Sequence, residues 1–313
     1  SMFGHSIAGP IIRYDWVRRE LSKRYFDWQN FSLGARRFMI GMCMKVLVAD
    51  TLSPLVEVAF HLDNPSFADA WIGCLAYSLQ LFFDFAGYSA MAIGLGLMLG
   101  FHFPENFNQP YLASSIQDFW RRWHLSLSSW LRDYLYIALG GNRHGAWKTY
   151  RNLFLTMAIA GLWHGGDSWN YLLWGAAHGI ALCIDRLWSR SSLPRIPLLL
   201  SHSLTLLFVF LAWTLFRAPD FHSALNMYAG QFGFHDFALG DGLAVTLRSA
   251  HGLAALLGVG CILAPLLKSR YEQRFAERIW FAPLAALWPV AGFLLSFALI
   301  ASREAVPFLY FQF

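Results

Sequence analysis

Two windows of this chain, residues 197–216 and 279–301, contain no Asp, Glu, Lys or Arg. Each is about the length a helix needs to cross the hydrocarbon core of a bilayer. Runs this long without charge offer water no solvated face, so most soluble folds are excluded. Residues 85–104 form a similar window rich in glycine, which permits close helix–helix approach. Windows 251–267 and 168–184 are shorter and span the bilayer if flanking side chains snorkel. Charged residues make up 14% of the chain, against roughly 25% in soluble domains. The 14 Trp and 28 Phe suit anchoring at two membrane–water interfaces. The expected fold is an all-α integral membrane protein: a single domain over residues 1–313, built as a multi-helix bundle with broken or re-entrant helices.

The formal charge of +5 does not indicate nucleic acid, because the basic residues sit in short connectors and one N-terminal stretch, 13–45. No aromatic-interleaved basic face accompanies them, and basic flanks of membrane spans account for them. Cys43, Cys74, Cys183 and Cys261 lie inside apolar windows, without metal-ligand spacing or a disulfide framework, and are expected to be buried and inert. The opening, SMFGHSIAGPIIRY, has neither a charged leader nor a long apolar core, so no signal peptide is expected. It resembles the middle of a longer protein, with further spans expected upstream.

Along the chain, residues 15–37 are polar and aromatic and predict an interfacial helix or loop. Residues 38–60 are apolar but interrupted by Lys45, Asp50 and Pro54, and 69–100 reads as two elements broken near Asp84 and Gly87. A turn-rich connector, 104–110, precedes an amphipathic aromatic stretch, 115–139; a basic glycine-bearing loop, 140–150, follows. Residues 152–166 are charge-free but short for a crossing, ending at Trp163-His164-Gly165-Gly166. No repeat is evident. Loops 185–196 and 268–278 hold three and four basic residues, whereas the longer loop 217–250 holds two. The positive-inside rule therefore places the first two on the cytoplasmic side and 217–250 outside.

Two histidines stand out as candidates for chemistry, His124 in RRWHLSLSSWLRDY and His164 in AGLWHGGDSWN. An imidazole is costly to bury and titrates near neutrality, which suits a general base that activates a hydroxyl. The glycines after His164 would let substrate approach the ring. His178 lies 14 residues further on and would share a helix face with His164 if one helix held both. The competing reading is structural: a lone histidine in an apolar helix is more often hydrogen-bonded packing, and His124 sits beside Arg121 and Arg122 as if on a solvated face. Asp84 reads as a hydrogen-bond partner inside the bundle. No His pair has i, i+4 spacing and no Cys joins them, so no metal site is predicted.

The stretch FFDFAGYSAMAIGLGLMLGFHFPENFNQPYLASSIQDFWRRWHLSLSSWLRDYLYIALGGNR, residues 82–143, resembles the signature region of the membrane-bound O-acyltransferase superfamily, specifically its bacterial alginate O-acetyltransferase branch. GLWHGGDSWNYLLWGAAHG, AWTLFRAPDFHSAL and the terminal PFLYFQF also resemble that branch, so the similarity spans essentially the whole chain. The D-alanyl-transferring branch shares the architecture, but LGGNR and PENFNQPYL look like the polysaccharide-acetylating one. The resemblance implies a helical bundle around a central tunnel, with His164 as catalytic base and His124 as a second polar residue of the same chamber. Trp163, Asn170, Trp120 and Arg122 are candidates for shaping that chamber, by proximity in sequence. It also implies acetyl-CoA or a derived acetyl thioester as cytoplasmic donor substrate, with no bound cofactor. Further implications are an exopolysaccharide, alginate by the branch it resembles, as final acceptor, a periplasmic O-acetyltransferase partner protein, and a multi-pass location in the bacterial inner membrane. Two other classes stay open: a transporter or channel with His124, His164 and Asp84 as a proton relay, and a non-catalytic membrane scaffold.

Overall fold

The computed structural model describes residues 9–23, 25–165, 168–275, 281–303 and 306–309, with the side chains of residues 23, 267–275 and 281–286 left aside. All regular elements among the described residues are helical. After the polar helix α1 (Tyr14–Lys23), α2 (Trp28–Cys43) is capped by the Asp27 carboxylate, which accepts from the backbone N–H groups of Gln29 and Asn30. A π-helical segment, Met44–Asp50, continues directly into α3 (Thr51–Phe60). Lys45, Asp50 and Pro54 therefore do not interrupt the run. The widened turn, which pairs residues five apart, sets the Lys45 ammonium 2.5 Å from the Asp50 carboxylate.

The long helix α4 (Phe67–Met98) corrects the expected break near Asp84 and Gly87. Asp84 is tolerated because both of its oxygens are engaged, one by Lys45 at 2.7 Å and one by the Leu309 backbone N–H at 3.0 Å. Gly87 serves packing, since a Cβ there would lie 2.7 Å from the Gly41 carbonyl oxygen. The helix ends before Gly100, whose φ of 81° is a left-handed stop, so the window 85–104 is not itself a span.

The amphipathic stretch 115–139 is not one helix. It forms α5 (Ile116–Trp120), α6 (Leu125–Leu131) and a π-helical segment, Arg132–Tyr136, with His124 at the break. Next come α7 (Ala146–His164) and α8 (Trp169–Arg190), both longer than their charge-free windows, then α9 (Leu198–Arg217). The connector 217–250 holds α10 (Phe221–Gln231) and α11 (Asp241–Thr246) and leads to α12 (Ser249–Phe275) and α13 (Phe281–Ser302). Most of the expected basic loop 268–278 is thus the end of α12, and residues 276–280 lie outside the described residues. So do residues 1–8 of the opening and Tyr310–Phe313 of the terminal motif.

Four helical stretches among the described residues are long and apolar enough to cross a membrane: Trp28–Phe60, Phe67–Met98, Leu198–Arg217 and Ser249–Leu266. The many exposed leucines of α9, α12 and α13 agree with lipid as the surrounding solvent. Cys43 and Cys74 are buried as expected, but Cys183 is half-buried and Cys261 exposed, because α12 turns that face away from the protein interior.

The chain forms two compact units. One comprises residues up to Leu52, Leu79–Asn106 and the chain from Arg248. In it α2 and the second part of α4 approach at glycine pairs: a Cβ on Gly34 would sit 2.6 Å from the Gly94 carbonyl oxygen. The Lys45–Asp50–Asp84 cluster lies here, with the Phe308 ring 4.8 Å from the Lys45 ammonium. The other unit comprises Ser53–Ser78 and Phe107–Leu247. Its core is aromatic, with Trp174, Trp213, Phe119 and Tyr77 all buried.

Candidate active site

The candidate residues gather in the second unit, where glycines let α7 and α8 pack closely. A Cβ on Gly161 would strike the Tyr171 carbonyl, and one on Gly175 the Met157 carbonyl. This contact brings the last turn of α7 against α8, so the His164 ring stands edge-on to Trp174, centroids 5.4 Å apart. Phe216, near the end of α9, closes another side of His164 at 5.2 Å. Trp163, mostly exposed, also packs against the His164 ring at 5.1 Å. Gly166, part of the expected WHGG feature, lies outside the described residues.

His124 arrives from a different element. It occupies the N-cap of α6 with φ 45°, a left-handed conformation that costs a side-chain-bearing residue energy and is held only when the surroundings fix it. Its neighbour Trp123 supplies part of that fixing, stacked on Phe119 at 5.6 Å. A second clamp runs from the Asn108 N–H to the Arg122 carbonyl at 2.9 Å. His124 is only 5% exposed, so the solvated-face reading does not hold. The Ser126 hydroxyl lies 3.5 Å from its Nδ1 and the Phe107 ring 6.5 Å away. Burial first, and the electrostatic influence of His164 second, pull the His124 imidazole down to about 3. It is therefore neutral near pH 7, and His164 lies within its electrostatic reach.

The remaining candidates divide. Trp120 donates from Nε1 to His178 Nδ1 at 3.2 Å and packs on Trp174. Asn170 is 1% exposed and donates from Nδ2 to the Ala218 carbonyl at 3.0 Å, tying the first turn of α8 to the end of α9. Arg122 instead works on the loop, donating from Nε to Asp118 at 2.8 Å and from its guanidinium to the Asn108 carbonyl at 3.4 Å. His178 shares no helix with His164, because α7 ends first; the two imidazoles are linked across helices by Trp174, which touches both. Trp174, Trp213 and Phe216 were not singled out from the sequence. One signal was there to use: Asn170, Trp174 and His178 follow i, i+4, i+8 spacing and so line one face of α8.

Residues 1–221 match the MBOAT, membrane-bound O-acyltransferase family. The chain belongs to this family. All six candidate residues fall within the matched part of this O-acyltransferase-family chain. Among its relatives, the probable alginate O-acetylase AlgI of Pseudomonas putida is 44% identical over 100% of the chain and 67% of its own length. The Pseudomonas aeruginosa protein of the same name is 50% identical, with 77% of the chain and 46% of the relative covered. A peptidoglycan O-acetyltransferase of Helicobacter pylori is 42% identical, covering 76% and 46%. The chain thus spans between about half and two thirds of the length of the curated relatives it matches.

Proposed function

We propose that this protein is a membrane O-acyltransferase that moves an acetyl group from a cytoplasmic donor toward a hydroxyl of an exopolysaccharide. The observation that carries the reading is the half-buried His164, walled by aromatic rings, with a second neutral imidazole, His124, in electrostatic reach. Family membership supports the reaction class. The names of relatives that act on alginate and peptidoglycan support a polysaccharide acceptor, with alginate favoured by the number of alginate O-acetylases among them.

In this mechanism His164 takes the proton of the acceptor hydroxyl as its oxygen attacks the acyl carbon of a thioester, acetyl-CoA or one derived from it. The tetrahedral intermediate collapses with cleavage of the carbon–sulfur bond, and the departing thiolate recovers the proton from the His164 imidazolium. His124 orients the acceptor or polarises the carbonyl. Acetyl-CoA approaches from the cytoplasmic side, where Arg186 and Arg190 end α8 and Arg195 follows in the connector, and transfer proceeds through a tunnel within the bilayer thickness. The protein sits in the bacterial inner membrane, and a periplasmic acetyltransferase partner receives the acyl group on the outer side. The proton-relay alternative is weakened because both Asp84 oxygens are already engaged by Lys45 and Leu309.

The test is polysaccharide O-acetylation in cells carrying the full-length protein, wild type against His164→Ala at matched membrane level. Loss of at least about 100-fold is expected for removal of a general base. Unchanged acetylation would overturn the assignment and leave a scaffold role for the protein.

A further inference from the structure

The deepest polar group of the aromatic cluster is one that the mechanism above leaves idle. His178 is fully buried and its ring touches Trp174 at 4.9 Å, Phe208 at 5.1 Å and Trp120 at 5.2 Å. The indole N–H can only donate, so the Trp120 Nε1 contact makes His178 Nδ1 an acceptor. The imidazole is then neutral with its proton on Nε2. That Nε2–H is buried and has no hydrogen-bond partner among the described residues. One turn back on the same face of α8, Trp174 is 2% exposed and its Nε1–H is also buried without a partner. A buried donor left unsatisfied costs about 1–3 kcal/mol, and two on one helix face require an explanation.

We infer that His178 Nε2–H and Trp174 Nε1–H are the donor pair for the carbonyl oxygen of the acyl group in transfer. The inference rests on the acyl-transfer reading above and adds residues to it. Trp174 is the ring that touches both His164 and His178, so the pair borders the proposed base. Both groups are donors in a water-excluded setting, which suits an oxygen that gains negative charge. When the acceptor oxygen bonds to the acyl carbon, the carbonyl pi electrons move onto that oxygen and the two N–H groups hold it. The electrons return as the carbon–sulfur bond breaks, and neither donor gains or loses its proton. Trp120 acts as a positioning residue by fixing the His178 tautomer. One more turn back, Asn170 Oδ1 is a buried acceptor without a partner, the complement a substrate hydroxyl needs.

The experiment measures acetyl groups per sugar on polysaccharide made by cells carrying the full-length protein, alongside the thermal midpoint of each purified variant. His178→Leu keeps bulk and removes the donor, His178→Gln returns an N–H near the Nε2 position, and Trp174→Phe removes the indole donor while keeping an aromatic ring, at the cost of a small cavity. His164→Ala is run in parallel. The expected result is a fall of about 100-fold for His178→Leu, the usual size for loss of one such donor. Trp174→Phe falls about 10-fold or more, and His178→Gln recovers a measurable part, with the thermal midpoint of Trp174→Phe lowered by only a few degrees, roughly the cost of a small cavity. If His178→Leu fails to accumulate, Trp174→Phe decides. Acetylation within twofold of wild type for Trp174→Phe and His178→Leu, with His164→Ala inactive, overturns the donor pair and leaves the base intact. His178→Gln as inactive as His178→Leu at a normal thermal midpoint also overturns it. Activity in His164→Ala overturns the underlying reading itself.

Discussion

Gly161 and Gly175 meet where α7 and α8 pack, and neither has room for a side chain. The Tyr171 and Met157 carbonyls occupy the space a Cβ would need. Because His164 ends α7 less than one turn beyond Gly161, the spacing of two backbones sets the position of the proposed base.

Gly161→Ala is therefore expected to lower stability by about 1–3 kcal/mol, the usual cost of overpacking. Acetylation should fall further than stability alone explains, because a displacement of about 1 Å at a reacting group costs on the order of 100-fold. Thermal unfolding of the purified protein and cellular acetylation at matched expression measure the two effects. Equal acetylation in Gly161→Ala and wild type would mean that His164 does not depend on this contact.

His124 gives a prediction in which stability and activity part company. Its φ of 45° suits glycine and strains alanine. His124→Gly should be more stable than His124→Ala by about 1 kcal/mol, the cost of a left-handed L-residue. Both should lose acetylation, since both remove the imidazole. A thermal-shift comparison checks the first statement and polymer acetylation the second; a His124→Gly no more stable than His124→Ala would argue against the strained backbone.

The Lys45 cluster sets a test independent of the imidazoles. Lys45 bridges Asp50 and Asp84 at 2.5 and 2.7 Å, all but enclosed by protein. Lys45→Met strands two carboxylates and should cost about 3–5 kcal/mol, the penalty for breaking a buried pair. Adding Asp84→Asn to it should return part of that loss, because one stranded charge is removed while a hydrogen-bonding oxygen remains for the Leu309 N–H. Denaturation midpoints of the two variants in detergent measure the difference. A double variant no more stable than Lys45→Met would show that the charges do not act as a unit.

The membrane class was legible in the windows without charge, and the WHG and RRWH blocks carried the family. Where prediction faltered, the local sequence lacked the partner that decides the outcome. Asp84 and Gly87 look like helix breakers until Lys45 neutralises one and Gly41 packs on the other. His124 looks solvated beside two arginines until the chain turns left-handed there and buries it. His178 looks like packing until Trp120 fixes its tautomer from 58 residues away and leaves its second nitrogen unmatched.

The sequence by itself thus determined the solvent and the helical class, and it marked His124 and His164 as candidates for chemistry. These follow from hydrophobic runs and residue chemistry, which are properties of short stretches of chain. Only the tertiary structure decided which groups share a site. That depends on the approach of α7 to α8, on the break between α5 and α6, and on the end of α9 that brings Phe216 to His164. Contacts between residues tens of positions apart set these placements, through steric exclusion and hydrogen bonds that no local pattern encodes.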